Sequence, residues 1–194
     1  MNSVRSGRKR ERNGSDAIGI SGAVILGLLS LRLDAAQVAK SANLSNCKSL
    51  LELSKLTLSD FDTHAQLSNG IGILSATFKC LLLCILKFDE INGPSHESEE
   101  CFLLASRILG ALAGSRELSK HAYLFVGTTL DTLSQFTPST AVRQLLLPGL
   151  FVLLDSCSPR QHKAVSSILN MKAKLCLARL TEWYHDDFKF KGSS

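Results

Sequence analysis

The chain has 194 residues, of which 45% are hydrophobic and 20% are charged, and it contains six cysteines. This length can form one domain with its own core or one section of a helical solenoid, which excludes the small disulfide-framework class of secreted proteins. Leucine dominates the apolar residues and aromatic residues are only 6%, a balance that favours helices over strands. The sequence therefore predicts an all-α protein with reduced, buried cysteines.

The net charge of +5 is concentrated at the two ends of the chain. Residues 1–13 carry five bases against one acid, and residues 159–194 carry seven bases against three acids. The span 14–158 between them has ten bases and thirteen acids. Basic ends on a slightly acidic middle indicate an anionic partner that contacts the ends.

Residues 1–16 are predicted to form a basic disordered arm. They include the run "RKRER", which fits the basic pattern that nuclear import receptors bind. The candidates for import within this run are Arg8, Lys9, Arg10 and Arg12.

Residues 17–64 are predicted to be a helical N-terminal segment whose attachment to the rest is undetermined. Residues 17–31 form an apolar run behind a basic stretch, the order found in signal peptides. The run is shorter than the ~20 residues of a membrane span, and no clean cleavage site follows it. A core helix over 17–33 is therefore our main interpretation, with an exported or membrane-tethered protein as the alternative. Later in the segment, one or two short helices are predicted to bury Leu50, Leu51, Leu53 and Leu56.

Residues 65–194 are predicted to form a helical C-terminal domain. Helical periodicity covers 65–88, 97–113, 116–136, 139–156 and a last helix from 159 to 184 or beyond. A loop is predicted over 89–99, and Gly110 and Gly114 are predicted to allow close approach of a neighbouring backbone. The buried side predicted for the last helix comprises Val165, Ile168, Leu169, Leu175, Cys176, Leu180 and Trp183.

The stretch "LLLPGLFVLL", residues 145–154, is apolar but is interrupted by Pro148 and Gly149. Ten residues are about half of a membrane crossing. A proline in a central strand would remove a ladder hydrogen bond. We therefore predict a buried helix that is bent at Pro148, where the ring crowds the carbonyl of Gln144.

These segments predict six to eight helices with short connections and no strand. Successive antiparallel helices that pack side by side give an α-solenoid-like bundle of the HEAT or armadillo type. No internal repeat is visible, because "ELSK" at 52–55 and 117–120 is the only recurrence.

Catalytic and metal-binding patterns are weak. Cys80 and Cys84 lie one helical turn apart, but a zinc site needs two further ligands at suitable spacing. Cys157 and His162 are a possible thiol and base, without any sign of an oxyanion hole. The sequence therefore predicts no enzyme, no metal, no cofactor and no small-molecule substrate.

The C-terminal end combines bases with aromatic residues. In "WYHDDFKFK", Phe188 and Phe190 alternate with lysines, which is typical of surfaces that stack on bases and contact phosphates. Docking of this segment onto an apolar groove is the alternative, and it is favoured because Trp183 and Tyr184 continue the buried face of the helix. The candidate contacts to RNA phosphates are Lys163, Lys174, Lys189 and Lys191.

The C-terminal third, "VRQLLLPGLFVLLDSCSPRQ" followed by a long helix and "YHDDFKFKG", resembles the nucleolar pre-ribosomal-associated family, also called unhealthy ribosome biogenesis protein two. The resemblance is strongest over 139–192. The matching positions are Arg143, Leu146, Pro148, Gly149, Leu154, Asp155, Cys157, Tyr184, Phe188 and Gly192.

The resemblance implies a non-catalytic nucleolar scaffold that acts in large-subunit ribosome assembly and pre-rRNA processing. Its expected partners are other assembly factors and pre-ribosomal particles, with pre-rRNA as a further contact and no membrane. Because family members are very long, the resemblance also implies a fragment, a truncated product or a stand-alone domain. The alternative is a generic cytosolic α-solenoid that binds proteins without touching RNA.

Overall fold

A computed structural model of the chain describes residues 44–63 and 68–185. Over these ranges the protein is helical and forms no strand, which confirms the all-α prediction. The helices are α1 Ser45–Thr63, α2 Ser68–Asn92, α3 His96–Gly114, α4 Ala122–Leu133, α5 Leu147–Ser156, α6 Pro159–Ile168 and α7 Met171–Trp183. A 3-10 turn, Leu118–His121, precedes α4, and a π-helical turn, Val142–Leu146, precedes α5.

The helices are stacked in two layers. Helices α1, α3 and α5 pack side by side in one layer, and α2, α4 and the pair α6 and α7 form the other. The core lies between the layers, where Phe78 of α2 meets Phe125 of α4 with ring centroids 5.8 Å apart. Each helix from α1 to α4 thus packs on its second neighbour along the chain, which is the arrangement of an α-solenoid, and α7 departs from this order by packing on α4.

The connection between α2 and α3 is much shorter than the predicted loop over 89–99, which was wrong at both ends. Only residues 93–95 lie outside the helices. Gly93 ends α2 with a φ of 78°, a left-handed conformation that glycine adopts without strain. Ser95 then caps the start of α3 through two reciprocal hydrogen bonds. The backbone amide of Ser98 donates to the Ser95 hydroxyl at 3.2 Å, and the backbone amide of Ser95 donates to the Ser98 hydroxyl at 3.0 Å.

The stretch around Pro148 is helical and buried, as predicted. Leu146, Leu150 and Leu153 are fully shielded from solvent. The irregularity precedes the proline, where the amide of Leu147 donates to the carbonyl of Val142, five residues back. Such a wide turn moves the preceding carbonyls away from the proline ring, so the helix continues through a position that would otherwise break it.

The prediction of one helix from residue 159 to Tyr184 was wrong, because the chain breaks at Leu169 and Asn170. The Asn170 side chain accepts the amide of Ala173 at 2.9 Å and so caps α7. Its amide group also donates to Asp131 of α4 at 2.9 Å. Because of this break, α6 and α7 bury different faces from those predicted for one continuous helix. Ile168 is 56% exposed and Leu175 is 57% exposed, although both were predicted to be buried.

Helix α1 packs against α2 and α3, with Cys47 and Leu51 fully buried. Leu50 is buried as predicted, whereas the predictions for Leu53 and Leu56 were wrong, since these side chains are 46% and 63% exposed. Close helix approach at Gly110 and Gly114 was also wrong, because no neighbouring atom lies near the place of a side chain at either glycine. The predicted helix over 17–33 lies outside the described residues.

Helix α2 is the one described helix that is long and apolar enough to cross a membrane by length and composition. In the most apolar 18-residue window of Gly70–Asn92, 61% is buried inside the protein. Its apolar face, including Leu81, Leu82 and Ile85, is part of the core between the layers. Central core helices of helical bundles meet the same two criteria.

Candidate interaction surface

A groove of about 640 Å³ lies between α5, α6 and α7. Its apolar lining comes from all three helices and comprises Phe151, Leu154, Val165, Leu177 and Leu180. Polar groups also line it, namely Asp155, His162, Ser166, Thr181, Tyr184 and His185. An apolar lining with a few polar groups is typical of sites that bind a ligand or a peptide side chain.

The groove exists because the chain turns at Leu169 and Asn170 and brings α7 back beside α4. A single straight helix over 159–184 would carry the residues after 170 away from α5. The sequence therefore did not indicate that His162 and Thr181 line the same groove, and no local pattern at either position could have indicated it.

Aromatic rings join α5 to α7 at one end of the groove. The ring of Phe151 lies 4.8 Å from the ring of Tyr184 and 5.8 Å from that of Trp183, measured between centroids. Phe151 is only 3% exposed, so these contacts are largely dry. Tilted pairs at such distances stabilise a structure by about 1 kcal/mol beyond the burial of their area.

Asp155 and Tyr184 form a hydrogen bond across this end of the groove. The Tyr184 hydroxyl donates to Oδ2 of Asp155 at 2.7 Å. This bond favours the protonated phenol, and the nearby carboxylate charge disfavours the phenolate, so the pKa of Tyr184 is raised above its usual value. The contact therefore contributes to stability below the pKa of the unfolded tyrosine and is lost as the pH rises through the higher pKa of the folded state.

We expect Asp155→Asn to shift the tyrosinate titration of the folded protein to lower pH, because the substitution removes the charge beside the phenol. Absorbance of the phenolate in the ultraviolet measures the shift, and the chain has only two tyrosines. Tyr184→Phe should remove the contribution of this phenol from the titration. An unchanged titration curve in Asp155→Asn would show that the two side chains do not meet in solution.

Several of the positions that carry the family resemblance lie on α5 or directly before it. Leu146 is fully buried, and Leu154 lines the groove beside Asp155. Gly149 lies against α3 so closely that a Cβ atom there would be 2.7 Å from the Cα of Ser106. Pro148 is in the first turn of α5 and Arg143 is exposed to solvent. Phe188 and Gly192 lie outside the described residues.

The cysteines in the described part of the chain are free thiols. Burial raises the pKa of Cys101 to about 12. Burial also raises the pKa of Cys157, whose thiol donates to the carbonyl of Leu153 at 3.3 Å rather than to His162. Cys47 differs, since a hydrogen bond with Cys84 lowers its pKa, but both thiols are fully buried. The described residues contain no group of three His, Cys, Asp or Glu side chains that could hold a metal ion.

Two of the predicted phosphate contacts, Lys163 on α6 and Lys174 on α7, are exposed. The other two, Lys189 and Lys191, lie outside the described residues, as do the import candidates Arg8, Lys9, Arg10 and Arg12. Three further exposed cations on α6 and α7 extend this basic surface, namely Arg160, Lys172 and Arg179. Within the described ranges, no ion pair involves any of the five cations on these two helices.

Comparison with known proteins gives a family for the greater part of the chain. The family model described as "Urb2/Npa2 family" matches residues 62–193, which contain the groove, the basic surface and the motif around Pro148. Searches of curated proteins and of solved structures gave no match. Since the match covers more than half of the chain, the protein belongs to the Urb2/Npa2 family and has a role in ribosome biogenesis.

Proposed function

We propose that this chain is a non-catalytic helical scaffold in the nucleolus that supports assembly of the large ribosomal subunit and processing of pre-rRNA. The two-layer helix stack offers broad surfaces to other assembly factors, as α-solenoids do. The protonated thiol of Cys157, engaged with a backbone carbonyl, supports a role without covalent catalysis.

The observation that carries the proposal is the basic surface of α6 and α7. Every lysine ion pair among the described residues lies elsewhere, on α1, α2 and the 3-10 turn. The cations of α6 and α7 therefore do not need to give up an internal partner to contact phosphates. Lys163 and Lys174, together with Lys189 and Lys191, make salt-dependent contacts to pre-ribosomal RNA, which release counterions.

Purification of the tagged chain from nuclear extract tests this proposal, with the recovered RNA and protein identified. We expect large-subunit precursors to be enriched. Lys163→Glu with Lys174→Glu, and separately Lys189→Glu with Lys191→Glu, should each reduce the recovery of pre-rRNA. The affinity for RNA falls as the salt concentration rises. If each lysine neutralises one phosphate, reversing all four charges should make the slope of log affinity against log salt concentration less negative by about 3.

Arg107→Glu with Arg116→Glu is the matched control, because both arginines are exposed and lie on other parts of the stack. This pair should leave RNA recovery unchanged. Equal recovery with all three pairs would remove the RNA contact from the proposal. A tagged chain that stays outside the nucleus, with or without Arg8, Lys9, Arg10 and Arg12, would favour the cytosolic scaffold without RNA contact.

A further inference from the structure

Helix α7 is apolar on two opposite faces. Its inner face packs on α4 and buries Ala173 and Leu180. On the opposite face, at spacings of four and three residues, lie Met171, Leu175 and Ala178, which we call the outer stripe. Met171 is 73% exposed and Leu175 is 57% exposed. A surface helix normally presents a polar face to water, so a second apolar stripe indicates a second packing surface.

Basic side chains border the outer stripe. Lys172 and Arg179 are exposed on one side, two helical turns apart, and Lys174 is exposed on the other. None of the three takes part in an ion pair within the described ranges. Helix α7 has one carboxylate, Glu182, which lies on the same face one turn beyond Ala178, against these three cations. The first two turns of the stripe, around Met171 and Leu175, therefore lie in a positive field that favours an acidic partner.

The geometry of the stripe matches another helix. Its spacing of four and three residues is that of one heptad seam, which packs against a second helix at a shallow crossing angle. The small side chain of Ala178 permits close approach, and the flexible thioether of Met171 adapts to the opposing surface. In the two-layer stack, α4 covers the inner side of α7, and the outer stripe is where the next helix of the same layer would pack.

We propose that the outer stripe of α7 binds an acidic amphipathic helix of a partner protein. Large aliphatic side chains of that helix, such as leucine, pack on Met171 and Leu175. Acidic side chains on either side of its apolar face form ion pairs with Lys172 and Arg179. An aliphatic stripe provides no ring on which a base could stack, so it fits a helix better than single-stranded RNA. Lys174 borders the stripe and is also a proposed RNA contact, whereas Lys163, Lys189 and Lys191 belong to the proposed RNA contact alone, so substitutions at these three lysines separate the two interactions.

Fluorescence polarisation with the full chain tests this binding. The probe is a labelled synthetic helix of about three heptads, with leucines at a and d and glutamates at e and g. We expect this peptide to bind and a counterpart with lysines at e and g to bind at least about tenfold more weakly. Met171→Glu with Leu175→Glu should abolish binding. Lys172→Glu with Arg179→Glu should reverse the preference between the two peptides.

Leu53→Glu with Leu56→Glu on α1 is the control, because these leucines are similarly exposed and are not bordered by three cations. This control should bind the acidic peptide like the unaltered chain, and circular dichroism should show that all variants keep their helices. Equal binding by every variant, or no preference for the acidic peptide, would overturn the proposal.

Three further results would assign the stripe to another occupant and would also overturn it. Competition by a single-stranded RNA oligonucleotide that is lost in Met171→Glu with Leu175→Glu would assign it to RNA. A dimer in sedimentation that the same pair of substitutions dissociates would assign it to a second copy. Binding of the acidic peptide only after removal of residues 186–194 would assign it to the chain's own C-terminal end.

Discussion

Replacing Gly149 by alanine is expected to lower the free energy of unfolding by about 3 kcal/mol, the upper part of the range for overpacked cores. A Cβ atom at this position would lie 2.7 Å from the Cα of Ser106 and closer still to the Ser106 carbonyl oxygen. These are backbone atoms of α3, so no rotation of a side chain relieves the clash. Helices α3 and α5 would have to separate, which opens the core beneath Leu146 and Leu150.

Gly110→Ala is the matched control for this substitution. Gly110 also lies within a helix, but no atom of a neighbouring element is within 4 Å of its would-be Cβ. Alanine should therefore stabilise the protein by about 0.5–1 kcal/mol through its better helix propensity. Urea unfolding followed by circular dichroism measures both values. Similar effects of the two substitutions would show that the contact between α3 and α5 is looser than the structure indicates.

Phe151→Ala is expected to cost about 3–4 kcal/mol and to loosen α7 from α5. The ring is 3% exposed and contacts Trp183 and Tyr184, so its removal leaves a cavity at the end of the groove. Trp183 is the single tryptophan of the chain, and its fluorescence reports this position directly. We expect its emission to shift to longer wavelength in the folded variant, as water reaches the indole.

The neighbouring residue provides the control for Phe151→Ala. Val152 is 48% exposed and lies on the other side of α5. Val152→Ala should change the free energy of unfolding by less than about 0.5 kcal/mol and leave the emission of Trp183 unchanged. If both substitutions had the same small effect, the aromatic contacts would not be what holds α7 against α5.

The family motif was visible in the sequence, but its physical meaning was not. Pro148 and Gly149 stand out in any apolar run, and the prediction of a buried helix there is confirmed, with a π-helical turn, Val142–Leu146, directly before the proline. The contact of Gly149 with Ser106 joins residues 43 positions apart, and the hydrogen bond between Asp155 and Tyr184 joins residues 29 apart. Neither pairing follows from local periodicity, because the first depends on the packing of α3 on α5 within one layer and the second on the contact of α5 with the end of α7 in the other layer.

The groove between α5, α6 and α7 could not be predicted from the sequence either. Its lining residues are ordinary apolar and polar side chains on three helices, and the sequence indicated only that most of the apolar ones would be shielded. The exposure of the cations on α6 and α7 could be expected from the sequence. A high local density of lysine and arginine is a property of the sequence, and such side chains stay at the surface in nearly any fold.

The sequence alone determined that the protein is helical, that the run around Pro148 is a buried helix and which segment resembles a ribosome biogenesis family. These features follow from leucine content, from three- and four-residue periodicity and from single prolines and glycines, all of which act over short distances along the chain. Only the tertiary structure decided that the last helix is broken at Asn170 and that Ile168 and Leu175 face solvent. The asparagine side chain both caps α7 and bonds to Asp131 of α4, and that second bond exists only once the two helices have packed.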